Sequence, residues 1–423
     1  MTEQQIMVLV KEKMKSRPKI FQLFENCYQD TLEKTIRFQE DGQVFMLTGD
    51  IPAMWLRDST NQLRPYLLTA RDNERIQKII EGVLKKQCRC ILSDPYANAF
   101  NESANGKGHQ TDETEMKPDI WERKYEVDSL CYPVQLAYLY WKNSGKTEHF
   151  SEEFERVMET VVNLWFLEQD HTARSHYTFR RRDCPESDTL PGEGAGNPVA
   201  VTGMTWSGFR PSDDRCVYGY LVPSNMFAVV VLGYMQQILH EFYANPTLEE
   251  KACLLRQQIE AGIRRYGMVQ DDKYGTVYVY ETDGMGHNTR MDDANVPSLL
   301  SMPYFHYCAK NDPVYQNTRR WVLSGENPFY YEGTAAKGVG SPHTPQGYIW
   351  HIALAIQGMT SENRREQERI LDYFERTDGG TGLVHEGFEK DDPSQFTREW
   401  FSWSNAMFVE FVLSVCGLEI QTA

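Results

Sequence analysis

The chain has 423 residues, 41% of them hydrophobic, which is enough to bury a large core and argues against general disorder. Its 60 acidic residues outnumber 44 basic ones, for a net charge of −16, a field that repels phosphate backbones and argues nucleic acid out as a partner. Nine cysteines, odd in number and without metal-ligand spacing, suit reduced thiols and lead to the expectation of a cytoplasmic protein.

The first stretch, MTEQQIMVLVKEKMKSRPKI, has an apolar run of only four residues and early acids. It is expected to be an amphipathic helix rather than a signal peptide. Helical spacing continues over 18–38 and 59–71. In NERIQKIIEGVLKKQCRCI, Ile76, Ile79, Ile80, Val83, Leu84 and Cys88 share one face, with Arg75, Lys78, Glu81, Lys85 and Arg89 opposite. A helix over 126–143 follows. FSEEFERVMETVVNLWFLEQ then repeats the pattern through Phe150, Phe154, Val157, Val161 and Trp165. HYTFRRR is a short strand candidate. SNMFAVVVLGYMQQIL is apolar almost all round, as in a helix buried on every side. It turns polar after Met235, short of the roughly 20 apolar residues a membrane span needs, so no membrane association is expected. Further helices are expected at 246–265, 295–303, 312–323, 346–358, 362–376 and 404–417, with a second strand candidate, YGTVYVYET, between the first two.

One-sided helices mixed with fully apolar ones imply two concentric helical layers, with short β elements as decorations in the connections. Segments 94–125, 171–223, 281–295, 325–346 and 378–403 are long connections rich in Trp, His, Arg, Asp and Gly. Loops beyond about 12–15 residues are uncommon unless they build a site. No Pro/Gly/Ser linker interrupts the chain, so residues 1–423 are expected to form a single domain, a helical barrel whose site is assembled from loops at one end.

Metal and nucleophile motifs are missing: there is no HExxH, no CxxC pair, no Asp-rich calcium loop and no GxSxG. The glycine-rich GEGAGNP does not follow a strand or carry the Lys-Ser/Thr of a phosphate loop. No metal and no cofactor are expected. Carboxylates remain. MTWSGFRPSDDRCVYGYLVPSN holds Asp213 and Asp214 beyond an Arg-Pro turn, and GGTGLVHEGFEKDDP holds Glu386 between His385 and Gly387. RMDDANVPSLL adds Asp292 and Asp293, where a helix cap would serve equally well. In TGDIPAMWLRDS, Trp55 precedes Arg57 and Asp58, either a buried structural ion pair or a rigid subsite for a polyhydroxylated ligand. A sugar would unite these residues, because its apolar face stacks on Trp and its hydroxyls accept from Arg and donate to carboxylates. Trp55, Trp121, Trp206, Trp400 and Trp403 lie in or beside the long connections, in company with Arg57, Asp58, Arg210, Arg290 and Arg398.

TGDIPAMWLRDS, GMTWSGFRPSDD, MDDANVPSLLS, SPHTPQGYIWHIAL and EWFSWSNAMF together resemble the motif set of family 125 glycoside hydrolases, in order, over about residues 20–417. The resemblance implies an all-α fold, an (α/α)6 barrel, and an exo-acting, inverting, metal-independent α-1,6-mannosidase. It implies a general acid in RPSDD, for which Asp213 is preferred and Asp214 the fallback, and a general base at Glu386. Substrate binding would then fall to Trp55, Leu56, Arg57 and Asp58 in the first motif, and to Trp206 and Asn225 in mid-chain. Arg290, Asp292 and Asp293 would follow, then His343, Thr344 and His351, and finally Trp403. For Asp213 to serve as acid, Arg210 and Arg215 should turn away from it or toward Asp214. The expected partner is a mannose-containing oligosaccharide, with a monomer favoured. A glucosidase, phosphorylase or epimerase on the same barrel, or a sugar-binding helical protein without catalysis, stands as the alternative.

Overall fold

Helices dominate the computed structural model, which describes residues 1–422. In chain order they are α1 (Glu3–Lys13), α2 (Pro18–Lys34), α3 (Leu56–Leu63), α4 (Glu74–Ser93), α5 (Val127–Ser144), α6 (Glu152–Glu168) and the short α7 (His171–Arg174). After a long connection come α8 (Val222–Phe242), α9 (Pro246–Tyr266), α10 (Pro313–Val322), α11 (His351–Met359), α12 (Arg364–Arg376) and α13 (Ser402–Val415).

Burial divides them into two classes. Helices α3, α5, α8, α11 and α13 are buried around nearly their whole circumference, whereas α4, α6, α9, α10 and α12 bury one stripe and expose the rest. Among the buried set, α3 packs on α5 and α13, α5 on α8, and α11 on α13. The one-sided helices back them: α4 on α5, α9 on α8, and α12 on both α11 and α2. Helix α8 is long and apolar enough to cross a bilayer by composition alone, but most of it is buried against its neighbours.

The two classes also begin differently. Helices α4, α6, α9, α10 and α12 start at Asn73, Ser151, Asn245, Asp312 and Asn363, whose side chains accept backbone N–H groups of the first turn. None of the five buried helices has a side-chain cap. Each instead receives its chain from a neighbouring segment that takes up the first N–H. Leu56 donates to the Asn98 carbonyl (3.1 Å), Val222 to Tyr280 (2.9 Å), His351 to Glu386 (3.3 Å) and Ser402 to Thr48 (3.2 Å). Val127 donates to Ser207 Oγ (3.2 Å). The connections that carry Trp55, Glu386 and the 48–50 turn are thereby fastened to the starts of the buried helices. The remaining free N–H groups give those helix ends a partial positive charge that favours nearby carboxylates.

Two expectations are corrected. The helix expected over 295–303 does not form, and residues 298–307 make successive turns instead. Pro297 and Pro303 remove two N–H donors, Ser298 and Ser301 bond each other's backbone N–H, and the Asp292 carboxylate takes the Leu299 and Leu300 N–H groups (2.8 and 2.9 Å). HYTFRRR contributes no strand beyond an isolated bridge between Arg180 and Glu113. YGTVYVYET does form strands, Gly275–Tyr278 paired with Met268–Asp271, and Glu281–Thr282 paired with Tyr220–Leu221.

Helices α11 and α13 approach closely at Gly358, where an added Cβ would stand 2.2 Å from the Phe411 ring. Overpacking a tight core costs about 1–3 kcal/mol. Gly358→Ala should therefore lower the urea midpoint by that stability with an unchanged slope, measured by equilibrium unfolding.

Candidate active site

The stretch from Thr48 to Asp58 enters the core as a tight turn. Gly49 has φ 142° and pairs with Phe401, and a Cβ there would lie 2.3 Å from the Trp400 carbonyl oxygen, so only glycine fits. Met54–Trp55 then pairs antiparallel with Ala99–Phe100, itself paired with Ile120–Glu122. This fixes Trp55 at the start of α3 and puts Arg57 and Asp58 in its first turn.

Arg57 is the centre of a carboxylate cluster. Its Nη1 donates to Glu126 (2.6 Å) and lies 3.5 Å from Asp128, its Nη2 reaches Asp213 (3.4 Å), and its Nε stands 3.4 Å from Asp58. The guanidinium also sits over the Trp403 ring, 5.3 Å from its centroid. Arg57 and Asp58 are therefore both a buried ion pair and part of a cavity wall.

Asp213 is presented by a hairpin-like turn. Arg210 N–H donates to the Asp214 carbonyl (2.8 Å) and Asp213 N–H to the Arg210 carbonyl (2.9 Å), and Asp213 itself has φ 69°. A left-handed, non-glycine residue at a cavity wall is a strained position held by its surroundings. Arg210 turns to Glu281 (2.6 Å) and Arg215 to Glu186 (3.1 Å), both away from Asp213 as expected. Asp214 meets His343 Nδ1 at 3.3 Å.

Glu386 comes from the other end of the chain. It immediately precedes the strand Gly387–Glu389, which pairs with Tyr348–Trp350 in the register Trp350↔Gly387. Behind it, His385 N–H donates to His351 Nδ1 (3.0 Å), and His351 Nε2 meets Thr377 Oγ1 (3.0 Å).

Asp213 and Glu386 line one cavity of about 250 Å3, together with Trp55, Arg57, Asp58, Ser212, Asn295, His343, Trp350, Arg398, Phe401 and Trp403. A cavity of that size is suited to one sugar ring more than to a polymer. Three deeply buried atoms of its lining residues have no hydrogen-bond partner among the described residues, Trp55 Nε1, Ser212 Oγ and Trp403 Nε1, and Arg57 Nε and Asp58 Oδ2 have only each other, at 3.4 Å. Stranded buried polar atoms cost about 1–3 kcal/mol each, so such a concentration of donors and acceptors marks a place built for a polar ligand. Two larger clefts, about 770 and 860 Å3, are more open and have no tryptophan in their walls.

The charges in the cavity are strongly perturbed. Burial pushes Glu386 up, with Arg398 and His343 opposing, and leaves it above the ordinary glutamate range. Burial likewise carries Asp58 and Asp128 up to about 6 against the pull of Arg57. For His343 burial works downward, but its bond to Asp214 and the charges of Glu386 and Asp213 carry it up to about 9, so it is a cation at neutral pH. Asp213 is not held in the protonated form that a general acid needs. Burial raises it, but Arg57, a hydrogen bond with Glu126, Lys124 and His343 together hold it well below the usual carboxylate range. Its neighbour Glu126 is driven far up, by burial first, against Arg57 and with Asp213 and Asp128 adding to the rise.

Several expected substrate contacts lie behind the cavity instead of lining it. Leu56 is fully buried in the core. Trp206 stacks on His171, centroids 3.5 Å apart at 8°, and Asn225 clamps Thr205 through its N–H and carbonyl (2.8 and 3.0 Å). Both brace the segment leading to Asp213. Arg290 reaches outward to Asp271 (2.6 Å). Asp292 caps the 298–307 turns, and Asp293 accepts from Asn295 Nδ2 (3.0 Å), which fixes a residue that does line the cavity. Thr344 accepts from Trp350 Nε1 (2.8 Å), and His351 braces the loop of Glu386. Sequence reasoning missed Glu126, Asp128, Ser212, Asn295, Trp350 and Phe401. The one local signal was the acidic pair in YEVDSL at a helix start, which reads as ordinary capping.

With this geometry in place, comparison with known proteins is specific. Residues 17–413 match the family described as metal-independent α-mannosidases, GH125. A solved Streptococcus pneumoniae structure, described among widely distributed metal-independent α-mannosidases that process N-linked glycans, holds α-1,6-mannobiose in a non-productive complex. It is 50% identical, with a TM-score of 0.96 over 98% of both chains. The meiotically up-regulated gene 157 protein of Schizosaccharomyces pombe is 36% identical over 96% of this chain and 84% of its own length. A glycosidase structure at 12% identity and TM-score 0.59, covering 95% of this chain and 98% of its own, shares the fold. The chain belongs to the GH125 family of metal-independent α-mannosidases.

Proposed function

We propose that the protein removes terminal mannose from the non-reducing ends of α-1,6-linked mannosides by inverting hydrolysis, with Asp213 as general acid and Glu386 as general base. The observation that carries this reading is the meeting of Asp213 and Glu386 on one small, indole-walled cavity rich in unpartnered polar atoms. The mannobiose in the Streptococcus pneumoniae relative supports the linkage. Arg57 and Asp58 hold hydroxyls of the terminal sugar while Trp55, Trp350 and Trp403 lie along its faces, and a small cavity that takes one ring suits exo action.

Asp213 delivers a proton to the glycosidic oxygen as the bond to C1 breaks. Glu386 takes a proton from the water that bonds to C1 from the opposite face. Inversion calls for carboxyls about 6.5–9.5 Å apart, so that the water fits between base and sugar. The five buried helices with their one-sided partners, and the 298–307 turns between α8 and α11, support an (α/α)6 barrel folded as one domain. Nine unpaired thiols suit a reducing compartment and support a cytosolic setting.

The test is incubation with α-1,2-, α-1,3- and α-1,6-mannobiose in the presence of chelator, following the released anomer by NMR. Cleavage of the 1,6 dimer with β-mannose appearing first is expected. Release of α-mannose first would overturn inversion, and preference for another dimer would overturn the linkage.

A further inference from the structure

Four carboxyls surround the one guanidinium of Arg57, and two of them, Glu126 and Asp213, are also bridged by a single amide, Asn98 Nδ2, at 3.3 and 3.2 Å. Glu126 starts α5, is buried, and stands one layer behind the cavity wall. Its Oε2 accepts from Arg57 (2.6 Å) and from Ser129 Oγ (2.7 Å). That leaves Oε1, which faces Asn98 Nδ2 (3.3 Å), and the same amide reaches Asp213 Oδ1 (3.2 Å). Two carboxyls gathered on one guanidinium and one amide inside a protein cannot both stay ionised at low cost, so the pair holds a proton.

We propose that Glu126 acts through Asp213 as a positioning residue, sharing one proton with it and returning that proton to the acid when the leaving oxygen needs it. The inference rests on Asp213 being the acid. It resolves the difficulty that Arg57 and Lys124 favour the ionised form of Asp213. In the resting site the proton resides on Glu126, hydrogen-bonded to the Asp213 carboxylate. On attack it passes to Asp213 and from there to the glycosidic oxygen as the C1–O bond breaks, leaving both carboxylates ionised. Glu386 gains the proton lost by the attacking water. Solvent then removes one proton from Glu386 and returns one to the pair, so the turnover balances as mannoside plus water to mannose plus alcohol.

The ionisable groups around the pair are Arg57 and Asp128 beside Glu126, Asp58 and Lys124 beside Asp213, and Glu122, which accepts from the same Asn98 amide. Cys216 lies on the hairpin beyond Asp213, and His343 stands across the cavity.

The test compares Glu126→Gln with wild type on α-1,6-mannobiose, whose leaving oxygen needs a proton, and on α-mannosyl fluoride, whose leaving group does not. Gln lends no proton and removes a like charge, so Asp213 stays ionised over a wider pH range. The expected result is a kcat on mannobiose about 10- to 100-fold lower at neutral pH, with turnover of the fluoride within about threefold of wild type. The alkaline limb of kcat/KM on mannobiose should move to lower pH, with KM little changed. Parallel losses on both substrates, or an unmoved alkaline limb, would overturn the proposal and mark Glu126 as structural. Retention of mannobiose turnover by Asp213→Asn would instead overturn the acid assignment, and the proton sharing with it. Should Glu126→Gln not fold, neutron diffraction from the wild-type protein at neutral pH decides. A deuteron on Glu126 or between Glu126 and Asp213 supports the pairing, and a deuteron on neither overturns it.

Discussion

Asp213→Asn is expected to lower kcat on α-1,6-mannobiose by a factor on the order of 10²–10⁴, or about 2.7–5.4 kcal/mol in barrier height. The amide keeps the size of the side chain and its reach to Arg57 and Asn98, so circular dichroism and thermal unfolding should show a folded protein. What is lost is the proton for the leaving oxygen. On α-mannosyl fluoride the loss should shrink to a small factor, because fluoride departs without protonation. Steady-state kinetics on the two substrates checks this, and equal losses on both would show that the residue shapes the cavity instead of donating a proton.

Glu386→Gln should cost a similar factor, on the order of 10²–10⁴, but on both substrates, since water must be deprotonated whatever leaves. Added azide, an anion that needs no base, should restore turnover of the fluoride and give β-mannosyl azide, detectable by NMR. The wild-type pH profile follows from the same residue. A base works only when ionised, and burial raises Glu386 against the pull of Arg398 and His343. Activity should therefore fall, as pH drops, through a value above the ordinary glutamate range near 4.5. Arg398→Leu removes a charge that favours the ionised base, so the acid limb of kcat/KM should move to still higher pH.

Helices with a strong pattern were legible in the sequence because one buried face leaves a 3.6-residue imprint, as along Ile76, Ile79, Val83 and Leu84 in α4. The strands flanking the cavity were not. Met54–Trp55, Ala99–Phe100 and Gly387–Glu389 span only two or three residues, too short for alternation to register, and each is made by pairing with a remote segment. Residues 298–307 carry helical spacing, but serine and aspartate side chains bond the backbone there and proline withholds donors, so the tertiary setting prevails. The acid–base pair was readable only through motif resemblance, because no local pattern says that residues 173 positions apart share a wall. The arginines of the acid's own motif turn away from Asp213, as the crowding of charge required. The opposing cation comes from Arg57, and only three-dimensional proximity could show that. The braces Asn225, His351 and Asp293 were read as ligand contacts because polar residues in a motif look alike whether they touch sugar or hold up the residue that does.

The turn at Gly49 and Asp50 is fastened to residues far along the chain: Gly49 bridges Phe401, and Asp50 accepts from Arg398 Nε (2.9 Å). Arg17 at the start of α2 pairs with Glu368 (3.0 Å), Asp372 (2.7 Å) and Glu375 (3.2 Å) on α12. A nascent chain on the ribosome therefore cannot finish the pocket by folding from its N-terminus forward. The wall around Trp55 and Arg57 waits, incomplete, until Arg398 and Phe401 have cleared the exit tunnel.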